Sequence, residues 1–342
     1  MPVTRNFASD APLNRQACDA LAAAFDQGWA DPKKLSQQSV AANRLKNSAI
    51  ESIASKLHIH PESIDICGEP DLLPFLAIAG IEVDGRSLFF GATERGKVRA
   101  VAGGLGGQVI DVGSDGRYLA PRKISNDATA AISLVNGETG VVQDNQVLID
   151  SFQSLAIDAT FSGITTELPQ NWKTAFYDAR SWQGPAGLGI LAIKDHAQYR
   201  YPLPHNAPIR VPGSYSLPLL IASSVAIESY DNNAEHLQKL NSHLRSHLSK
   251  MEHVQVVGDG VDCDPRVISA IVSDEIPEEL LRRLLKSHIS IDAGSACSPE
   301  NLQPSHVLAE MGLPTSGHIR LYLRSEHTIA DIDGLIANLR RN

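Results

Sequence analysis

Cysteine is scarce in this chain, with 4 residues in a total of 342. That count excludes a small domain held together by disulfides, and the absence of a Cys-x-x-Cys motif makes a zinc site a poor hypothesis. Long hydrophobic runs are also missing, since no stretch reaches the roughly 18 apolar residues of a membrane-spanning helix. The first 16 residues contain no apolar signal core. The sequence therefore predicts a cytoplasmic protein with no membrane attachment.

The rest of the composition is that of a globular protein. Hydrophobic residues make up 43% and charged residues 20%, which excludes a mainly disordered chain. Lysine and arginine together number 30 against 39 acidic residues, so the net charge is −9. Because non-specific binding of nucleic acid depends on neutralising phosphates, we expect no nucleic-acid partner.

Seven short apolar runs follow an N-terminal region with helical spacing. The helical spacing covers Leu13–Trp29 and Val40–Leu57. Helix-length segments separate the seven runs, as in a mostly parallel sheet flanked by helices, so this part predicts an α/β fold with a large seven-stranded sheet. The runs are Ser63–Cys67, Ser87–Phe90, Gln108–Val112, Ala130–Val135, Leu155–Ala159, Thr174–Ala179 and Leu188–Ile193.

The last third of the chain has a different pattern. A long helical stretch from Leu217 to Met251 has a break predicted near Asp231, and short strands then alternate with helices to the C-terminus. This pattern predicts a smaller C-terminal α+β domain. We expect an N-terminal arm that begins the small domain over residues 1–20, a large α/β domain over 21–215, and a connecting helix with the small domain over 216–342.

The most specific motif lies near the C-terminus. It consists of Ser290-Ile-Asp-Ala-Gly-Ser-Ala-Cys-Ser298, Leu302-Gln-Pro-Ser-His-Val-Leu308 and His318-Ile-Arg320. These segments resemble the cysteine desulfurases, a branch of the class V aminotransferases with the pyridoxal phosphate-dependent transferase fold type I. In that family the cysteine takes sulfur from a cysteine–cofactor adduct and carries it as a persulfide. Cys297 occupies the matching position, and a thiolate on an accessible loop suits this chemistry.

The resemblance extends over about residues 5–340 and implies roles for further residues. Asn136 lies in a turn that is similar to one following a central strand of the family. Asp158 matches the carboxylate that keeps the pyridine nitrogen protonated. Ser214 lies in a loop similar to one that reaches the phosphate across a dimer interface, so the resemblance also implies a homodimer. Arg320 matches the arginine that binds the substrate carboxylate, which suits its planar guanidinium group.

The sequence departs from the family at the cofactor. Ser181 occupies the position of the lysine that binds the cofactor covalently, and serine cannot form that aldimine. Asp178 stands where the family has a serine beside the phosphate, and Gly68-Glu-Pro70 replaces the turn that donates to the phosphate. Arg95 replaces the histidine that stacks on the pyridine ring. Carboxylates set against a phosphate dianion cost on the order of a few kcal/mol.

The resulting hypothesis is a degenerate desulfurase-like protein, a pseudoenzyme towards pyridoxal phosphate, in which Cys297 carries sulfur to an acceptor protein. An active pyridoxal phosphate-dependent cysteine desulfurase or selenocysteine lyase with an unusual anchor is an alternative. A non-enzymatic protein that binds an anion through Arg95 and Arg180, or a partner, is another. The sequence leaves open whether the chain is an enzyme.

Several of these residues also have purely structural interpretations. Asp158 suits a strand-end carboxylate that caps a neighbouring helix, and Arg320 suits an ion pair with Asp292. The glycine-rich segment Gly103–Gly107 follows a helical pattern and precedes a strand, which is the reverse of the order in phosphate-binding loops. It predicts a helix C-terminal turn in which glycine supplies a positive φ.

Overall fold

The computed structural model describes residues 5–27, 30–81, 87–121, 124–206, 209–273, 277–293 and 304–339. These residues form two main sheets with helices packed against them. The helices are α1 Arg15–Gln27, α2 Gln37–Leu57, α3 Leu73–Ala79, α4 Gly96–Gly104, α5 Asn145–Ser151, α6 Leu217–Ser229, α7 Ala234–Leu248, α8 Pro277–Lys286, α9 His306–Glu310 and α10 Ile329–Leu339. The strands are β1 Arg5–Phe7, β2 Ile64–Cys67, β3 Leu88–Gly91, β4 Gln108–Ile110, β5 Thr129–Ser133, β6 Ser154–Asp158, β7 Trp172–Asp178, β8 Gly189–Ile193, β9 His205–Asn206, β10 Ile209–Arg210, β11 Val254–Val256, β12 Val267–Val272, β13 Ile289–Ala293 and β14 His318–Tyr322.

The larger sheet has seven strands in the order β2-β8-β7-β6-β5-β3-β4. The pairs among β4, β3, β5, β6 and β7 are parallel, whereas β8 is antiparallel to both β7 and β2. The seven apolar runs of the sequence form these seven strands. The predicted α/β fold with a mostly parallel seven-stranded sheet is therefore confirmed.

Helices cover both faces of this sheet because successive side chains of its strands point in opposite directions. In β6, Leu155 and Ile157 pack into a core shared with α1, α2 and α6, whereas Ala156 packs into a second core with α3 and α4. Parallel strands buried on both faces give continuous apolar runs in sequence. This arrangement leaves the carboxyl ends of the parallel strands as the open edge of the layer.

The smaller sheet has five strands in the order β1-β13-β14-β12-β11. Strand β1 from the N-terminus pairs in parallel with β13, so both ends of the chain contribute to one sheet. Helices α7, α8 and α10 pack against it around a separate apolar core. The predicted smaller α+β unit thus contains the C-terminal part of the chain.

Two local predictions are also confirmed. The long helical pattern after residue 216 is interrupted, since α6 ends at Ser229 and α7 begins at Ala234. Helix α4 ends at Gly104, and Gly106 has a φ of +82°, so the glycine-rich segment is a helix C-terminal turn. The division into domains at residues 20 and 215 stays a prediction. None of the described helices is long and apolar enough to cross a membrane.

Candidate functional site

A cavity of about 580 Å³ lies at the open edge of the large sheet. The ends of β5, β6 and β7 contribute Ser133, Asp158 and Asp178, and strand β14 of the small sheet contributes Arg320 from the opposite side. Ligands of open α/β sheets bind beyond the carboxyl ends of the strands. The cavity is therefore the candidate site, and residues 9–11 of the N-terminal segment form part of its wall.

Asp158 is buried at the end of β6, where its carboxylate is fully engaged by the protein. Its Oδ2 accepts a hydrogen bond of 2.6 Å from Arg95 Nε, and its Oδ1 accepts two from the backbone N–H and hydroxyl of Thr160. The side chain is 2% exposed. Burial opposes the charge of Arg95, but the ion pair and hydrogen bond with Asp158 outweigh it and raise the pKa of Arg95. Asp158 is thus neutralised within the chain.

A second internal ion pair lies beside the first. Asp178 accepts from the Nε and Nη2 of Arg180 at 2.7–3.1 Å, and these hydrogen bonds raise the pKa of Arg180. Ser181 follows in the same turn and donates its hydroxyl to the Asp178 carbonyl oxygen at 2.7 Å. Arg180 therefore pairs with Asp178, whereas Arg95 pairs with Asp158.

Glu94 is completely buried behind the Arg95 side chain. Its Oε1 accepts hydrogen bonds from the Tyr118 hydroxyl and from the backbone N–H and hydroxyl of Ser133, while its Oε2 has no partner among the described residues. Burial raises the pKa of Glu94 to about 7, with a smaller contribution from the charge of Asp158. No sequence motif marks Glu94 as a buried acid beyond its position before Arg95.

Arg320 lies between two carboxylates at the opposite wall. Its Nη1 is 3.8 Å from Glu138 Oε2, and its Nη2 is 4.0 Å from Asp292 Oδ2. The ion pair with Asp292 that the sequence suggested therefore exists at the limit of contact. Glu138 also accepts a hydrogen bond from Ser305 and lies 3.6 Å from His318. Burial lowers the pKa of His318 to about 4, so this imidazole is neutral near pH 7.

The Asn136 side chain forms hydrogen bonds that hold the loop after β5 in place. Its amide donates to the Thr93 carbonyl oxygen at 3.0 Å, and its Oδ1 accepts from the backbone N–H groups of Glu138 and Thr139. Asn136 lines the cavity and fixes the loop that presents Glu138. Its predicted role as a cofactor-binding residue stays a prediction.

Two predicted residues are not among the described residues that line the cavity. Ser214 is exposed in the loop before α6 and does not line the cavity, and its carbonyl oxygen packs against Gly68. Cys297 lies outside the described residues, so its role stays a prediction. Helix α9 is anchored at the cavity, because His306 Nε2 is 2.8 Å from the Glu94 carbonyl oxygen.

Arg324 is a residue that sequence reasoning missed. Its guanidinium donates to the carbonyl oxygens of Asn6, Ala8, Ser9 and Asp10, which fixes the N-terminal segment over the cavity. No local motif marks this role, since the partners lie more than 300 residues away in the chain. Only the pairing of β1 with β13 brings them together.

The cavity does not fit pyridoxal phosphate. Asp158, which the resemblance assigns to the ring nitrogen, already accepts a hydrogen bond from Arg95, and Asp178 adds a second carboxylate to the same cavity. Within the described part of the chain, six carboxylates and five arginines line the cavity and no lysine does. Lys173 and Lys194, which flank Ser181 in sequence, instead bond Gln198 and Gln170. Arg95 pairs with Asp158 and Arg180 pairs with Asp178, so their charges are already compensated. This arrangement disfavours an anion site built from these two arginines.

Comparison with known proteins identifies the family. Residues 122–335 match the family model of the class V aminotransferases. The cysteine desulfurase of Gluconacetobacter diazotrophicus is 28% identical over 264 residues, which cover 68% of this chain and 63% of that protein. The cysteine desulfurase of Trichormus azollae is 29% identical over 230 residues, covering 62% and 57%. The matched region thus spans about three fifths of the length of these relatives.

Solved structures show the same fold. A NifS-like protein has a TM-score of 0.83 at 20% sequence identity, with 98% of both chains covered. A NifS-like protein from Rickettsia africae has a TM-score of 0.82 at 16% identity, again with 98% coverage of both. These similarities confirm the predicted fold, and the match to the family model covers more than half of the sequence. The chain belongs to the class V aminotransferase family and is cysteine desulfurase-like.

Proposed function

We propose that this protein is a desulfurase-like sulfur carrier that does not use pyridoxal phosphate as a covalent cofactor. The observation that carries the proposal is the hydrogen bond between Arg95 and the buried Asp158, which occupies the carboxylate that a cofactor ring would need. Membership of a pyridoxal phosphate-dependent family makes that cofactor plausible on sequence grounds. The side chains around this cavity favour a site in which Arg95 and Arg180, and not a cofactor, compensate the charges of Asp158 and Asp178.

The position of Ser181 supports the same interpretation. Its hydroxyl donates to the Asp178 backbone and packs close to Gly163, so the residue completes a turn of the chain. The assignment of Ser181 to the lysine position comes from the sequence alone and is part of the proposal. A serine there has no amine with which to form an imine, whatever the geometry.

In this proposal Cys297 receives sulfur from a persulfide made elsewhere. The Cys297 thiolate attacks the outer sulfur of a protein or small-molecule persulfide, a new sulfur–sulfur bond forms, and the donor leaves as a thiolate. No net oxidation occurs, because one persulfide is exchanged for another. Arg320 would attract the carboxylate of a small donor to this side of the cavity, in competition with Glu138 and Asp292.

An absorption spectrum tests the absence of the cofactor. The purified protein is mixed with excess pyridoxal phosphate, freed of unbound cofactor, and assayed for alanine release from cysteine. We expect no retained visible band and no alanine. A stoichiometric band with alanine release would contradict the proposal and favour the active desulfurase or selenocysteine lyase.

Labelling of persulfides tests the sulfur carrier. After incubation with a small-molecule persulfide, we expect the intact protein to carry one extra sulfur that Cys297→Ser abolishes. Cys18→Ser is the matched control, because Cys18 is an exposed cysteine that does not line the cavity. Equal labelling of the Cys297→Ser variant and the wild type would refute the carrier role and leave a partner-binding protein as the better interpretation.

The proposal includes a homodimer and a sulfur-acceptor protein. Twofold homodimers are the commonest soluble oligomers, and the exposed loop with Ser214 resembles an interface loop. Light scattering of the purified protein measures the dimer directly. A monomer at working concentration would remove this part of the proposal without affecting the persulfide test.

A further inference from the structure

A second cavity lies on the far side of Ser181 from the first. It has a volume of about 800 Å³ and is walled by the end of α2 with the following turn, by the loop after β6, by residues of β7, and by Lys194 just after β8. Gly163 lines this second cavity, and a Cβ built on Gly163 would lie 3.2 Å from the Ser181 hydroxyl, which lines the first. One layer of atoms therefore separates the two cavities.

The second cavity concentrates basic side chains on an acidic protein. The chain has a net charge of −9, yet Lys56, Lys194, His58 and His60 line this cavity with Glu167 as the single described carboxylate. Lys56 and His58 are exposed, and within the described residues neither side chain has an ion-pair or hydrogen-bond partner. Local positive potential of this kind attracts anions.

Aromatic and hydroxyl groups complete the lining. Trp172 is half-buried at the start of β7, and the Lys194 ammonium lies 5.7 Å from the centre of its ring. Tyr177 is buried deeper in the same strand, while Ser63 and Thr165 add hydroxyl groups. Small-molecule sites typically combine aromatic walls with a few polar groups in a volume of about 300–1,000 Å³.

The walls of this cavity are fixed. Arg266 is buried and bonds the carbonyl oxygens of Phe161 and Ser162 and the hydroxyl of Thr165, which holds the loop after β6 in place. Arg266 also forms an ion pair with Asp264, which compensates the charge of the guanidinium group. A loop held by a buried ion pair gives a preformed cavity, so binding would require little ordering of the protein.

We propose that this second cavity binds a small phosphorylated ligand that carries a flat ring, with the lysines on the phosphate and Trp172 against the ring. This site does not depend on whether the first cavity binds pyridoxal phosphate, because none of its residues takes part in the Arg95–Asp158 or Arg180–Asp178 ion pair. Exposed charge contacts are screened by salt, so binding weakens as ionic strength rises.

Calorimetric titration of the full-length protein with AMP at low salt tests the proposal. We expect saturable binding, with adenosine and inorganic phosphate each at least tenfold weaker than AMP. The Lys56→Gln/Lys194→Gln variant should bind AMP about tenfold more weakly, which corresponds to about 1.4 kcal/mol. Lys250→Gln is the matched control, because Lys250 is an exposed lysine away from the cavity, and it should bind as the wild type does.

Circular dichroism and the melting temperature establish that each variant is folded. Absence of saturation by AMP at millimolar concentration would overturn the proposal, as would equal affinity of the double variant and the wild type. Equal affinity for AMP and phosphate would refute the ring contact with Trp172. These outcomes do not depend on whether the first cavity accepts pyridoxal phosphate.

Discussion

Replacing Arg95 by alanine is the perturbation that bears most directly on the cavity. The substitution removes the donor to Asp158 Oδ2 and leaves a carboxylate that is 2% exposed, with Thr160 as its remaining hydrogen-bond partner among the described residues. If the Arg95–Asp158 ion pair compensates the buried charge of Asp158, the folded state of this variant should be less stable even in the absence of a ligand. The other half of the pair can be neutralised separately with Asp158→Asn.

The expected loss follows from the burial of the two partners. Breaking a fully buried ion pair costs about 3–5 kcal/mol, whereas an exposed pair contributes about 0–1 kcal/mol. Asp158 is buried, but 46% of the Arg95 side chain is exposed to the cavity, so water can reach the position that the guanidinium leaves. We therefore expect Arg95→Ala to lower the free energy of unfolding by about 2 kcal/mol, near the value of one charge-assisted hydrogen bond.

Thermal unfolding of the two single variants and the double variant measures this effect. For a chain of this length, about 2 kcal/mol corresponds to a fall in Tm of roughly 3 °C. A double-mutant cycle should give a coupling of about 1–2 kcal/mol, because Asp158→Asn removes the charge that Arg95 neutralises. Arg180→Ala is the matched control: its side chain is 63% exposed, and we expect a loss of about 0.5 kcal/mol.

Two results would refute the reasoning. If Arg95→Ala unfolds within about 0.5 kcal/mol of the wild type, the ion pair does not hold the cavity together. If the effects of the single variants are additive, Arg95 and Asp158 do not interact energetically despite their distance of 2.6 Å. Either result would also weaken the argument that Asp158 is unavailable to a cofactor.

Three further predictions follow from the structure. Burial raises the pKa of Glu94 from 4.5 to about 7; the folded state then binds a proton that the unfolded state releases, so the contribution of Glu94 to stability falls as pH rises from about 4.5 to 7. Urea unfolding at pH 5 and pH 8 should show that Glu94→Gln removes this fall, and an unchanged pH dependence would contradict it. Gly317→Ala should cost at least about 2 kcal/mol in unfolding experiments, because φ is +73° and a Cβ would collide with the Val272 carbonyl oxygen; Gly96→Ala, with open space around it, should cost nothing, and equal effects would refute the argument. Ser181→Lys alone should not produce a visible band with pyridoxal phosphate, and a spectrum with a stable band would show that the surrounding carboxylates do not exclude the cofactor.

The fold could be predicted from the sequence because its strands and helices depend on local patterns of apolar residues. Parallel strands buried on both faces require uninterrupted apolar runs, and seven such runs form the seven strands of the large sheet. The break between α6 and α7 and the turn after α4 are also local, since they depend on residues such as Gly106 that adopt a positive φ. The resemblance to the family added expected roles for single residues such as Asp158 and Arg320.

The pairing within the site could not be predicted in the same way. The sequence offered Arg95 and Arg180 as one possible site for an incoming anion, and in the structure both are paired with carboxylates of the chain. Asp158 lies 63 residues from Arg95, so nothing in the local sequence relates them. Their contact depends on the placement of β6 and the loop after β3 at the same edge of the sheet.

The sequence by itself determined the class of fold and the resemblance to the family, because these depend on periodicity and on short motifs. The assignment of Ser181 and Cys297 to family positions stays a prediction. The tertiary structure alone decided which charges neutralise one another, that Glu94 is buried, and that Arg324 fixes the N-terminal segment. It also decided that a basic cavity lies behind Ser181. The physical reason is that charge pairing and burial depend on distances of a few ångströms between segments far apart in the chain, and those distances exist only once the two sheets have packed.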